Sequence, residues 1–345
     1  MGIQQILLGM GAGDAWEPAG ITATGGTMHT GQLNPDGTPY TWHVFPGGPR
    51  GPESPTPYTF DVTAVDGPGS FEYIMVAGGG VGGISPNPDP GGSYGGAGGG
   101  GAGGLRTNFR SPPAQDTVTY HPFYPESPGA ATASVQAYTI QVGRAGAGNP
   151  SPERDGKPTS FSGSGGGAPF GTVTGGGHGG HATGGTPAGP GGSGGGGGEP
   201  PGATSGGSGT PGQGKSGGDG EPSNAGGGGG ASTGGGGASG AGGEGAMFDD
   251  AGFFKLAVGG IADNPAQPGY RYLAGGGGGG GPSSDGGNPP GSGGFGGGGN
   301  AGNPNNNGTS ADNWSGGGGG GAGGGDQTRF AGHGGQGMLF IRYVA

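Results

Sequence analysis

From Gly275 to Gly281, and again from Gly316 to Gly321, the chain carries no side chain at all. Glycine supplies 111 of 345 residues and proline another 33, beyond the level at which a chain is usually fibrous or low in complexity. Hydrophobic residues make up only 27%, so any core is small and sits where they cluster. Collagen needs glycine strictly at every third position, and these runs break that period. Net charge is -11 with 10% charged residues, too little self-repulsion to keep the chain expanded. Backbone hydrogen bonding is the one plentiful resource. Glycine loses the most freedom on ordering, so an ordered glycine tract must satisfy most of its N–H and C=O groups. Extended helices with three residues per turn have no internal bonds and turn those groups toward neighbours. Stripped of side chains, such helices can bond in several directions, and a seven-residue run spans about 22 Å. The expected fold is mostly β and irregular, with almost no α-helix: a small antiparallel β module plus a glycine-rich bundle of polyglycine II-like helices.

Two regions are expected. Residues 1–39 form a polar lead with one apolar patch, in which Ile3, Ile6, Leu7 and Leu8 have no local partner. That patch is either a loose terminus or a docking peptide, and we read it as docking. Residues 40–345 form the glycine-rich region, with strands near 40–77, 117–142 and 337–345 framing a bundle over 143–336. Tyr58, Phe60 and Val62 alternate with Thr59, Asp61 and Thr63, and Tyr138, Ile140 and Val142 alternate with Ala137, Thr139 and Gln141, the period of a half-buried strand. The helix candidate, Ala246 to Val258, is weakened by Gly252.

Several motifs tempt. Gly78, Gly80 and Gly83 fit the dinucleotide pattern, but three prolines follow where a helix should start, and in a chain this rich in glycine the pattern arises by chance. Gly209 to Ser216 fits the P-loop pattern, in which Lys215 would reach phosphates, yet neither a buried strand nor a helix flanks it. His178 and His181 lack further ligands nearby, Asp249 and Asp250 lack calcium-loop spacing, and Asn307 and Asn313 start glycosylation acceptor sequences without a secretion signal. There is no cysteine, hence no disulfide or thiolate site. The scattered basic residues argue against nucleic acid, and no apolar run approaches the ~20 residues of a membrane span. No catalytic set stands out, so no enzyme activity, cofactor or metal is expected.

The aromatics within the glycine tract carry more information. Phe253, Phe254, Tyr270, Tyr272, Phe295 and Trp314 sit in short segments between runs, which become turns if the runs pack as rods. Such rings either staple the bundle or contact a ligand. Phe253 and Phe254 are read as packing. Tyr270, Tyr272, Phe295 and Trp314 are the candidate surface contacts, Trp314 foremost.

The order of landmarks is specific. "YTFDVTAVDGPGSFEYIMVAGGGVGG", then "GGAGGGGAGGLRTN", "YTIQVGRAGAG", "GKPTSFSG" and a closing "GGHGGQGMLFIRYVA" resemble the glycine-rich domain of tailed-phage fibre and virion structural proteins, marine phages in particular. The resemblance covers about residues 40–345. A more distant likeness is to long-tail-fibre adhesins built on polyglycine II helices, although the runs here are less regular. The resemblance implies a virion protein assembled in the host cytoplasm: a tail fibre or tail-tip adhesin, as a homo-oligomer. It implies attachment to other virion proteins through the N-terminal segment, and loops that touch a host glycan or outer-membrane protein. The alternative is a capsid or tail decoration protein, such as a head fibre, without a receptor.

Overall fold

The computed structural model describes residues 19–33, 39–50, 54–86, 95–108, 131–147, 154–163, 170–182, 186–199, 205–222, 224–248, 271–282 and 289–344. No helix occurs among them. Their strands are β1 (Ile21–Thr24), β2 (Thr27–Leu33), β3 (Pro39–Pro46), β4 (Thr56–Val65), β5 (Ser70–Val76), β6 (Leu105–Thr107), β7 (Ala131–Thr132), β8 (Gln136–Val142), β9 (Thr159–Ser162), β10 (Thr172–Val173), β11 (Ala246–Phe248), β12 (Arg271–Leu273) and β13 (Met338–Val344). They form a five-stranded sheet in the order β1-β4-β8-β9-β10, a six-stranded sheet in the order β2-β3-β13-β5-β6 with β7 beside β5, and the β11–β12 pair. All strand pairings are antiparallel. The first two strands come from within residues 1–39 and join one sheet each.

Apolar residues cluster on both faces of the six-stranded sheet. Between the two large sheets, Phe60, Ile140 and Phe161 meet Phe45, Met75 and Ile341. On the opposite face, Trp42, Ile74 and Phe340 meet Phe248 and Leu273 of the β11–β12 pair, and Ala102, Ala231 and Ala274 of the glycine tract. The alternation in β8 therefore appears as one buried and one exposed face. By contrast β13 is buried along its whole length, as a central strand covered on both faces must be. That double cover also buries polar groups. His43 is bonded to Gly25 O (2.8 Å) and Tyr343 Oη (3.1 Å). Arg342 lies opposite Glu72 in the register at 2.6 Å, with its guanidinium 4.4 Å from the centre of the Tyr40 ring. Paired this way, the two charges avoid the cost of an uncompensated buried ion.

Seven strands continue straight into glycine segments, or out of them: β5 into 77–83, β8 into 143–147, β10 into 174–182 and β12 into 274–282, while 95–104, 240–245 and 331–337 lead into β6, β11 and β13. What changes at each junction is where the backbone points. In a strand its polar groups lie in the sheet plane, alternating between two sides. Along 97–104 they point in three directions in turn. The N–H groups of Ala97, Gly100 and Gly103 bond to Ala322, Gly319 and Gly316; those of Gly98, Gly101 and Gly104 bond to Gly180, Gly177 and Thr174; those of Gly99 and Ala102 bond to Gly226 and Gly229. The carbonyls repeat the pattern toward three other segments, around residues 77–83, 193–199 and 277–280. This rod thus has six bonded neighbours, at N···O distances of 2.7–3.0 Å. The glycine bundle reaches outside the expected 143–336, and a rod from outside that range sits at its centre.

Close approach is why the residue must be glycine. A Cβ placed on Gly98 would lie 1.9 Å from Gly196 O, and one on Gly101 would lie 2.2 Å from Ser193 O. Alanine appears where the packing leaves room, as where Ala97, Ala182 and Ala322 touch one another. At Gly281 the nearest atom to a Cβ is Pro290 Cβ at 3.5 Å. We expect Gly98→Ala or Gly101→Ala to cost at least ~3 kcal/mol, because backbone rather than a side chain has to move. Gly281→Ala should be neutral or stabilise by up to about 1 kcal/mol through the unfolded chain. Chemical denaturation of the three variants checks this, and equal effects would refute the close-packing account.

Candidate functional site

The rods at the edge of the bundle lack neighbours on their outer side. There the sequence changes with a period of three. Exposed positions fall at Ser205 and Ser208, Ser216 and Asp219, Ser292 and Phe295, Asn300 and Asn303, Asn307, Ser310 and Asn313, and Phe330 and His333. Many of these side chains supply the acceptor that a missing rod would have given. Asp219 Oδ1 accepts from Gly206 N (2.8 Å), Asn300 Oδ1 from Gly293 N (2.9 Å), Asn307 Oδ1 from Phe330 N (2.8 Å), and Ser310 Oγ from His333 N (3.2 Å). This is how sheet edges are blunted, applied to a rod. The signal is present in the sequence as polar pairs spaced three apart, such as Ser205 and Ser208 or Asn300 and Asn303.

The nucleotide motifs find no phosphate cradle. Gly78, Gly80 and Gly83 donate their N–H groups to Lys157, Gly101 and Gly98. In the P-loop-like stretch, Thr210 N bonds to Gly191 and Gly192, Gln213 N and Gly214 N to Thr210, and Lys215 N to Gly230. Donors already held by the chain's own carbonyls are not available to a phosphate.

Of the aromatic candidates, the structure brings Tyr272 and Phe295 together, with ring centres 5.7 Å apart. Tyr272 is buried on β12, whereas Phe295 is 43% exposed, in a turn. Trp314 is half-buried against the core beside the six-stranded sheet, and its indole N–H donates to Gly47 O at 3.1 Å. In this structure it ties a rod turn to the end of β3. Tyr270, Phe253 and Phe254 lie outside the described residues, as do Ile3, Ile6, Leu7 and Leu8, together with Asp249 and Asp250.

The family described as the glycine-rich domain matches residues 53–344. The chain belongs to this glycine-rich domain family. No curated protein matches it.

In the glycine-rich domain the two spaced histidines take different partners. His178 Nδ1 bonds to Asp155 Oδ1 at 2.7 Å, and the same oxygen accepts the His178 backbone N–H. His181 Nε2 faces Arg154 Nη1. A guanidinium can only donate, so Nε2 accepts, and the ring is neutral with its proton on Nδ1. Among the described residues no group of acidic or histidine side chains is placed to hold a metal. Burial, then the charges of Arg154 and His178, hold the His181 pKa down to about 4. Between pH 6.5 and 4 the unfolded chain therefore binds a proton at His181 that the folded chain does not, so stability falls as pH falls through that window. We expect this limb to amount to about 1–3 kcal/mol. His181→Gln keeps an acceptor for Arg154 and cannot titrate. Thermal melts across this range should flatten in that variant, and an unchanged limb would rule out His181 as its source.

Proposed function

We propose that this glycine-rich domain is a virion appendage protein, a tail fibre or tail-tip adhesin, that acts by binding rather than by chemistry. In this reading its rods are polyglycine II helices, a stiff spacer whose connections face the host. The observation that carries the proposal is how the described ends of the rods are gathered. Rods that leave or enter the sheets through β5, β6 and β10 have their far ends bonded together, Ala182 N to Ile84 O and Glu199 N to Gly96 O. Binding residues are commonly carried on loops held by a rigid scaffold. The ordered strand landmarks, which resemble those of phage fibre proteins, point the same way. The segment before Ala19 would attach the protein to other virion components, with the protein acting as a homo-oligomer.

Purified protein should bind candidate host cells saturably and compete with phage adsorption. A variant lacking residues 1–18, which spares β1 and β2, should keep cell binding and lose virion attachment. Virion attachment without any cell binding would instead make this a decoration or head-fibre subunit.

A further inference from the structure

One flank of the bundle has the features of a ligand surface. Rods 289–295, 298–303 and 307–313 lie in a row. Ala301 N bonds to Gly291 O on one side and Thr309 N to Asn300 O on the other, while Gly299 N and Gly302 N bond to Gly318 and Gly321 of the rod beneath. With both flanking rods bonded and a further rod supporting it, the middle rod is held in place. Its outward side chains and those of its neighbours are held too. Because Asn300 Oδ1 and Asn307 Oδ1 accept backbone N–H groups, the orientation of each amide is fixed. Each keeps an Nδ2 donor with no partner among the described residues, on an exposed residue. Ser310 Oγ accepts His333 N, which leaves its hydroxyl proton to give. Phe295 and Phe330 flank these donors, 43% and 48% exposed. Outward positions along a rod repeat at about 9 Å.

We infer that this flank binds a neutral polysaccharide chain. The inference deepens the host-surface reading above and rests on it. Sugar hydroxyl and ring oxygens accept from amide and hydroxyl donors, and the apolar face of a sugar ring stacks on an aromatic ring. Donors and rings fixed before binding lose little entropy when a ligand arrives. Ser292, Phe295, Asn300, Asn307, Ser310 and Phe330 carry no charge. The Arg50 guanidinium bonded to Ala311 O lies beside the Asp312 carboxylate, and a second carboxylate, Glu244, accepts from Phe295 N, so the flank carries no net positive charge to attract an acidic polymer. Two Phe rings set apart by polar rods are also too little apolar surface for a protein interface core.

The test uses the full chain on an array of neutral and acidic bacterial surface polysaccharides, with cell binding measured in parallel. In the Asn300→Asp/Asn307→Asp double variant each side chain keeps an oxygen acceptor for the backbone and loses its donor. We expect at least tenfold weaker binding to a neutral polysaccharide with an unchanged melting temperature. Phe295→Ser/Phe330→Ser should weaken binding as much without touching the caps, with a small fall in melting temperature from the lost contact with Tyr272. Array binding lost in both variants supports the flank even if the protein binds no cells, in which case the host reading alone fails. Variants that bind polysaccharide and cells like the parent overturn the flank and leave the host reading intact. A parent chain that retains only acidic polymers, or whose cell binding is abolished by protease treatment of the cells, also overturns it.

Discussion

Everything in this structure depends on one interaction used in an uncommon way: the backbone N–H to C=O bond, made between rods in three directions instead of within a sheet in two. Each residue from Ala97 to Ala102 in the central rod gives one such bond and receives one. Since each bond is shared by two residues, that is one bond per residue, contributing about 0.5–1.5 kcal/mol net. Fixing a backbone costs about 1–2 kcal/mol per residue, and glycine sits at the expensive end. The bonds by themselves fall short of that cost, so a glycine bundle of this kind has no margin of its own. The two apolar layers around the six-stranded sheet supply what the rods lack.

The sheets also settle a problem of register. A glycine rod that slides by three residues recovers every bond it had, so the runs alone do not say where they stop, much as a two-sided polar strand slips. Strands cannot slide in this way, because a one-residue slip of β8 would turn Tyr138, Ile140 and Val142 out of the core. By running directly into rods, β5, β8, β10 and β12 carry a fixed register into the bundle. The side-chain acceptors on the outer rods add further fixed points, since Asn300 can cap Gly293 in only one alignment.

These features were unequally legible in the sequence. Strands β4, β8 and β13 could be read because their partners impose a pattern on them: alternation where one face is covered, a continuous apolar run where both are. Strands β1 and β2 could not. Each has a register shift, β2 between His29 and Gln32 around Gly31 at φ 68°, and such a bulge breaks the alternation that sequence reading relies on. The glycine runs were legible as runs but not as a map. Which rods touch is decided by turns and caps, while the glycines themselves are chemically alike. Trp314 looked like a free ring in a polar loop, because the Gly47 carbonyl that takes its N–H lies 267 residues away.

The three-residue repeat also divides the labour among positions of the outer rods. Toward the bundle, a Cβ meets a backbone oxygen at about 2 Å, as at Gly299 against Thr309 O (2.2 Å) or Gly332 against Thr309 O (1.7 Å), so those positions tolerate nothing but glycine. The outward position meets no rod. Its only structural duty is to offer an oxygen to an orphaned N–H, which Ser, Asn and Asp all do. Side-chain identity there is accordingly free to answer to something outside the molecule. A scaffold whose fold is written in residues without side chains, and whose surface is written in every third residue, can change what it contacts without disturbing how it is held together.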